Sequence, residues 1–208
     1  YWPQGLIDTS ADADLFYFDV SPDDGDFVTN IVPYYDYLLI YKRNSIYILY
    51  GFDQSDFRLE RLQTDENLGC ISKRASVVAE NWCYFLDRNG IYRTNAQVTD
   101  YVGQAFDAFF EPQADNTQYV GEKINTTNID KAVMEVYRKK PSNLVITSVP
   151  VGSGNVNERH FLIDFKTNQA IVDDGYVAQS YGLVQIDNED YLKRGDDNGW
   201  LWTEDSIS

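Results

Sequence analysis

His160, in "NERHFLIDF", is the only histidine in the 208 residues, and its ring is the natural candidate for moving a proton near neutral pH. A general base needs a nucleophile to serve, and no serine or cysteine nucleophile motif accompanies it. The plainer reading is a strand-end histidine packed on a neighbouring strand. Glycoside hydrolysis needs two carboxyl groups about 5–10 Å apart, one with a raised pKa. The chain has 33 acidic residues, and no spacing singles out such a pair. Clustered carboxylates in "SPDDGD" and "GDDNG" are hard oxygen donors of the kind calcium takes. Neither has the D-x-[DN]-x-[DN]-G loop with its distant glutamate, so solvated turns are expected. Cys70 and Cys83 come without a CxxC and with one histidine, which does not support a zinc site. Two reduced, part-buried thiols of an intracellular protein are expected, with a Cys70–Cys83 disulfide as the alternative. No catalytic, metal-binding or cofactor-binding residue is assigned.

Three short motifs have structural readings. "GDDNGWLW" places Gly195, Asp197, Gly199 and Trp202 at the spacing of an Asp-box, with glycine where serine or threonine is usual. In such a turn the carboxylate accepts backbone N–H bonds while the aromatic ring anchors the hairpin. "RGD" at Arg194–Asp196 enters a hairpin turn rather than a displayed loop. "NTT" at Asn125 has the form of a glycosylation sequon, which means something only on a secretory route.

Binding is better served by aromatic rings, which bury large area at low entropic cost and stack on sugars. Tyr34, Tyr35 and Tyr37 crowd together in "PYYDY", just before a hairpin whose tip carries Lys42 and Arg43. These five residues form the candidate interaction surface. The competing reading puts half or more of the tyrosines in the core.

These residues must be held by strands. Sixteen Tyr, eleven Phe and four Trp against a single Met argue for an all-β chain. "LFYFDV", Leu15 to Val20, reads as a strand running into the turn "SPDDGD". Leu38–Tyr41 and Ile46–Tyr50 flank "KRNS" as a hairpin in which Asn44 can take a positive φ. "FRLERLQ" reads as an exposed strand and "ISKRASVVAE" as another. "WCYFLDRNGIYRTN" turns on Asn89-Gly90, and "DFKTNQAIVDDG" supplies a further hairpin. One short helix is expected near 99–110, with Val102, Phe106, Phe109 and Phe110 on one face and Pro112 as its stop. Residues 113–128 read as a polar surface insertion.

Turns centred on Asn44, Asn89, Asn143 and Asn198 stand 45, 54 and 55 residues apart. That spacing is close to the length of a β-propeller blade, about 40–50 residues with four strands. The whole chain, 1–208, is expected to form one propeller-like domain of roughly four blades. Its formal charge of −16 repels phosphate backbones. No run reaches the roughly 18 apolar residues that cross a bilayer, and no signal or transit segment opens the chain. Beginning at Tyr1 directly on "YWPQGLIDTS", it reads as a processed piece or an excerpt of a longer polypeptide.

The order "DDGDFVTNIVPYYDYLLIYKRNSIYILYG", "GCISKRASVVAENWCYFLDRNGIYRTN", the Phe-rich helix, "KAVMEVYRKKPSNLVITSVPV", "RHFLIDFKTNQAIV" and "DYLKRGDDNGWLWTED" resembles the β-propeller part of tailed-bacteriophage virion proteins. Those proteins are the head-to-tail stabilisation, tail hub and nozzle components of short-tailed phages. The resemblance is most pointed at Lys42–Ile46, at Gly69–Ile71 with Ser76 and Val77, and at Phe85–Ile91. Family members usually carry a fuller propeller and further modules. The resemblance implies a structural role in the virion without enzyme activity or cofactor, in a homo-oligomeric ring with portal, connector or tail subunits as partners. DNA would be passing cargo, membranes would play no part, and the protein would be made in the host cytoplasm. A carbohydrate-binding or receptor-recognition propeller is the first alternative, and a glycan-cleaving enzyme the second.

Overall fold

In the computed structural model, residues 19–21, 24–52, 56–64, 67–110, 121–139, 142–187 and 189–204 are described. Fifteen strands among them form four antiparallel sheets, each strand pairing with its sequence neighbour. The first sheet is β1 (Val28–Tyr34), β2 (Tyr37–Lys42), β3 (Ile46–Tyr50) and β4 (Arg58–Arg61). The second is β5 (Ser76–Ala79), β6 (Trp82–Asp87), β7 (Gly90–Thr94) and β8 (Thr99–Tyr101). The third is β9 (Val133–Lys139), β10 (Ser142–Pro150), β11 (Asn157–Asp164) and β12 (Ala170–Asp173). The fourth has three strands, β13 (Ser180–Ile186), β14 (Glu189–Gly195) and β15 (Leu201–Glu204). The mostly-β expectation is met, in four meanders that follow one another along the chain.

Alternating side chains explain how the sheets stack, because residues i and i+2 share a face. Leu39, Tyr41, Ile46 and Ile48 point from the first sheet toward Cys83 and Phe85 of the second, where Tyr41 and Phe85 lie 5.2 Å apart. On the far side of the second sheet, Tyr84, Leu86 and Ile91 join Val145, Phe161 and Ile163 of the third in the same core. A smaller cluster of Tyr137, Leu144, Ile146 and Leu162 meets Leu192 of the fourth sheet. The first strands of the sheets are neighbours in turn: β1 packs beside β5, β5 beside β9, and β9 beside β13. A parallel bridge between Arg74 and Val133 ties the second sheet to the third.

The sheets begin at Val28, Ser76, Val133 and Ser180, in steps of 48, 57 and 47 residues. The expected spacing has the right length and the wrong phase. Asn44, Asn89 and Asn198 lie in or beside the β2–β3, β6–β7 and β14–β15 turns, whereas Asn143 lies just after the turn joining β9 to β10, the first hairpin of its sheet. The long connection before β9 shifts the third sheet along the sequence.

The helical segment is shorter than 99–110. Thr99–Tyr101 is a strand on β7, and only a 3-10 turn at Gln104–Phe106 and a helix α1 at Asp107–Phe110 follow. The Phe face itself is as expected: the rings of Phe106, Phe109 and Phe110 lie 4.5, 5.4 and 5.7 Å from that of Phe161. Of the polar insertion, residues 113–120 lie outside the described ones. Residues 121–128 are tied down by an Ile124–Val151 bridge and by the Asn125 amide, which donates to the Gly154 carbonyl. Of the strand expected at Leu15–Val20, residues 15–18 also lie outside the described residues.

Cys70 and Cys83 are free thiols with no exposed surface. Burial pushes both pKa values up to about 12. At pH 8 the thiolate population is then about a thousandfold below that of an ordinary cysteine. An aromatic disulfide reagent should titrate both thiols only after denaturant is added. Fast reaction of one equivalent with the native protein would contradict this packing.

Candidate functional site

The hairpin tip at 42–45 looked basic and available, and the structure places its lysine inside. Lys42 is 2% exposed. Its ammonium donates to both carboxylate oxygens of Asp24, at 2.7 and 2.6 Å, and to the carbonyls of Val20 and Ser21. The hydrogen bond from Lys42 holds the Asp24 carboxyl below its usual range. Asp26 accepts from the backbone N–H groups of Arg43 and Asn44, so the turn is closed from outside. Asn44 accordingly does not adopt a positive φ. Arg43 lies over the Phe27 ring, 4.6 Å from its centroid. The two charged side chains serve different ends: Lys42 fastens the chain entering β1, and Arg43 remains half-buried at the surface.

The tip also anchors the second sheet. The Lys42 carbonyl accepts from Cys70 N–H at 3.0 Å, and Thr29 Oγ1 donates to the Cys70 carbonyl at 2.6 Å. Asp87, the last residue of β6, accepts from Gly69 N–H. Gly69 runs so close to the tip that a Cβ there would lie well under 3.0 Å from the Lys42 and Arg43 backbones.

The three candidate tyrosines separate. Tyr34 is 4% exposed, a core residue whose hydroxyl donates to the Asn81 carbonyl. Tyr35 is 68% exposed, its hydroxyl on the Asn81 side chain. Tyr37 is 37% exposed and meets Tyr50 at 4.7 Å and 69°. Of the five residues proposed from sequence, Arg43, Tyr35 and Tyr37 reach the surface, while Lys42 and Tyr34 are structural.

His160 is fully buried with both ring nitrogens engaged. Nε2 donates to the Tyr176 carbonyl at 2.8 Å, which fixes Nδ1 as the acceptor for Ser148 Oγ at 2.7 Å. Ser148 Oγ then accepts from the Tyr181 hydroxyl at 2.8 Å, and the Tyr176 ring stacks on the imidazole at 3.8 Å. The chain of bonds joins β10 and β11 to β13. Its Ser-His pair is closed to a substrate, and burial lowers the His160 pKa to about 4. Beside it, Arg159 grips Asp174 with two 2.8 Å hydrogen bonds and holds that carboxyl below its usual range.

The acidic turns spend carboxylates on the protein's own donors. Asp196, rather than Asp197, organises the "GDDNGWLW" turn: it accepts from the backbone of Asn198 and Trp200 and from the Trp202 indole. Asp23 lies outside the described residues. Arg194 of the RGD triplet lies in β14, donates to the Val177 carbonyl and packs over the Tyr176 ring. Among the described residues, no three His, Cys, Asp or Glu side chains converge to hold a metal, and no helix is long and apolar enough to cross a membrane.

What the surface offers instead is exposed apolar side chains on the outer faces of the two end sheets, although Ile40 and Tyr47, on the same face of the first sheet, are buried. The first sheet turns Ile31 (54% exposed) and Leu38 away from the second sheet, opposite the face that carries Leu39 and Tyr41. The fourth sheet turns Val184, Ile186 and Leu201 (71% exposed) away from the face that carries Leu192. Among the described residues, the first and fourth sheets make no extensive contact with each other. No protein-family model matches the chain, and no curated protein is similar to it.

Proposed function

We propose that the four sheets are blades of an open, propeller-like arc that acts as a structural part of a ring-shaped virion assembly, in a phage tail or head-to-tail connector. The observation that carries this reading is the pair of outer sheet faces with their exposed apolar side chains. Exposed apolar side chains on the outer faces of both end sheets mark candidate contact surfaces, and a stack of sheets that leaves them exposed at each end is suited to being continued by neighbouring subunits. The succession of β1, β5, β9 and β13 supports the blade arrangement, since the first strands of consecutive blades adjoin around a propeller axis. The phage setting rests on the sequence resemblance. The charge of −16 fits a ring through which DNA passes without sticking.

Light scattering and negative-stain microscopy of the purified chain test the reading. Rings or defined oligomers are expected, dissolved by Val184→Glu with Leu201→Glu. A monomer at high concentration that also fails to co-purify with portal or tail proteins would overturn it, as would a tight, salt-sensitive complex with duplex DNA.

A further inference from the structure

At the turn end of the first sheet, strand register gathers aromatic rings that are far apart in sequence. Leu38 stands opposite Leu49, so Tyr37 and Tyr50, each one residue further along its strand, come side by side. Tyr50 in turn stands opposite Arg58 on β4. Beyond Tyr50 the chain bends at Gly51, whose φ of +116° leaves no room for a side chain: a Cβ would come within 2.8 Å of Asp56 Oδ1. That same Oδ1 accepts from Phe52 N–H at 2.9 Å and fixes the bend. Phe52 is left 85% exposed, the most exposed large apolar side chain among the described residues. Tyr37, Tyr50 and Phe52 line a cavity of about 620 Å³, within the range of small-ligand sites. Asp36, Asp56, Arg58 and Glu60 complete its wall.

We propose that this cavity is a binding subsite for a neutral oligosaccharide. The apolar C–H face of a pyranose ring stacks on aromatic rings, and its hydroxyls donate to carboxylates and accept from a guanidinium. The cavity supplies both kinds of group. Three carboxylates against one guanidinium disfavour sialylated, uronate or phosphorylated sugars. Aromatic rings and surplus carboxylates also attract a quaternary ammonium, so tetramethylammonium is the competing ligand that the test must separate from a neutral sugar. The site is separate from the end faces and would serve recognition rather than assembly.

An array of neutral and sialylated glycans, followed by titration of the ¹⁵N-labelled chain with the best neutral hit, tests the proposal. At least one neutral glycan is expected to bind, shifting the amides of residues 36–38, 50–52 and 56–58. Phe52→Ala and Tyr37→Ala should each weaken binding about tenfold. Phe52 is so exposed that its replacement should leave the unfolding midpoint unchanged, so its loss of binding cannot be ascribed to unfolding. The proposal is overturned by absence of neutral binders, by preference for sialylated glycans or for tetramethylammonium, or by neutral binding that both variants retain. Oligomer size measured on Phe52→Ala keeps this outcome distinct from the ring assembly, which should persist.

Discussion

Gly69→Ala should be the most damaging glycine-to-alanine change among the described residues. The new Cβ would press on the backbones of Lys42 and Arg43 rather than on a side chain able to swing away. Relief requires the 69–70 segment to move off the tip, straining the hydrogen bond from Cys70 N–H to the Lys42 carbonyl and that from Gly69 N–H to Asp87. A destabilisation of about 3 kcal/mol is expected, at the upper end for overpacking. With a urea m-value of about 2 kcal/mol/M, the midpoint falls by about 1.5 M. Gly182→Ala is the control, because a Cβ there meets nothing within 4 Å and the glycine has no positive φ. That variant should stay within about 0.5 kcal/mol of the parent. Equal midpoints for the two variants would refute the close approach at Gly69.

The second large effect is acid sensitivity centred on His160. Burial is the first cause of its lowered pKa and outweighs the attraction of Asp173 and Asp174, while Arg194 reinforces the lowering. The unfolded chain binds a proton near the ordinary value of 6.5, whereas the folded chain resists it until about 4. Between those values the unfolded state holds more protons, so stability falls as pH falls. The histidine's contribution is fully present above pH 6.5, is lost through the window down to pH 4, and totals about 3 kcal/mol. Between pH 7 and pH 4.5 the parent should lose about 2.5 kcal/mol more than His160→Gln, by urea midpoints at each pH. As the only histidine, it also offers a single Hε1 NMR signal whose titration midpoint should lie near pH 4. A midpoint near 6.5, or parallel acid losses in both proteins, would show that the imidazole is not held as described.

The all-β character and most hairpins were legible because their signals are local. Asn89-Gly90 and Asn198-Gly199 mark turns wherever they occur, and apolar runs such as Leu38–Tyr41 have little choice but to be covered. Phase was not legible, because Asn143 looks like Asn89 as a turn former although it follows a different hairpin of its sheet. Lys42 misled for a related reason. A lysine at a hairpin tip is exposed unless a distant carboxylate returns to meet it, and the 18 residues back to Asp24 hold no pattern announcing that return. In the Asp-box turn, the motif pointed one residue too far along, since the carboxylate that accepts from Asn198, Trp200 and Trp202 belongs to Asp196. The aromatic cavity was half visible. Tyr37 stands out in "PYYDY", but Tyr50 and Phe52 join it only through cross-strand register and the bend at Gly51.

The fastening of the first hairpin also couples the first two sheets. Its tip depends on Asp24 and Asp26 upstream and on Gly69, Cys70 and Asp87 downstream, so the contacts that complete the first sheet span more than 40 residues of chain. Such long-range closure is slow to nucleate and ties neighbouring elements into one cooperative unit. The first two sheets are therefore expected to exchange their amide protons as one cooperative unit rather than as two independent modules, which native-state hydrogen exchange would read.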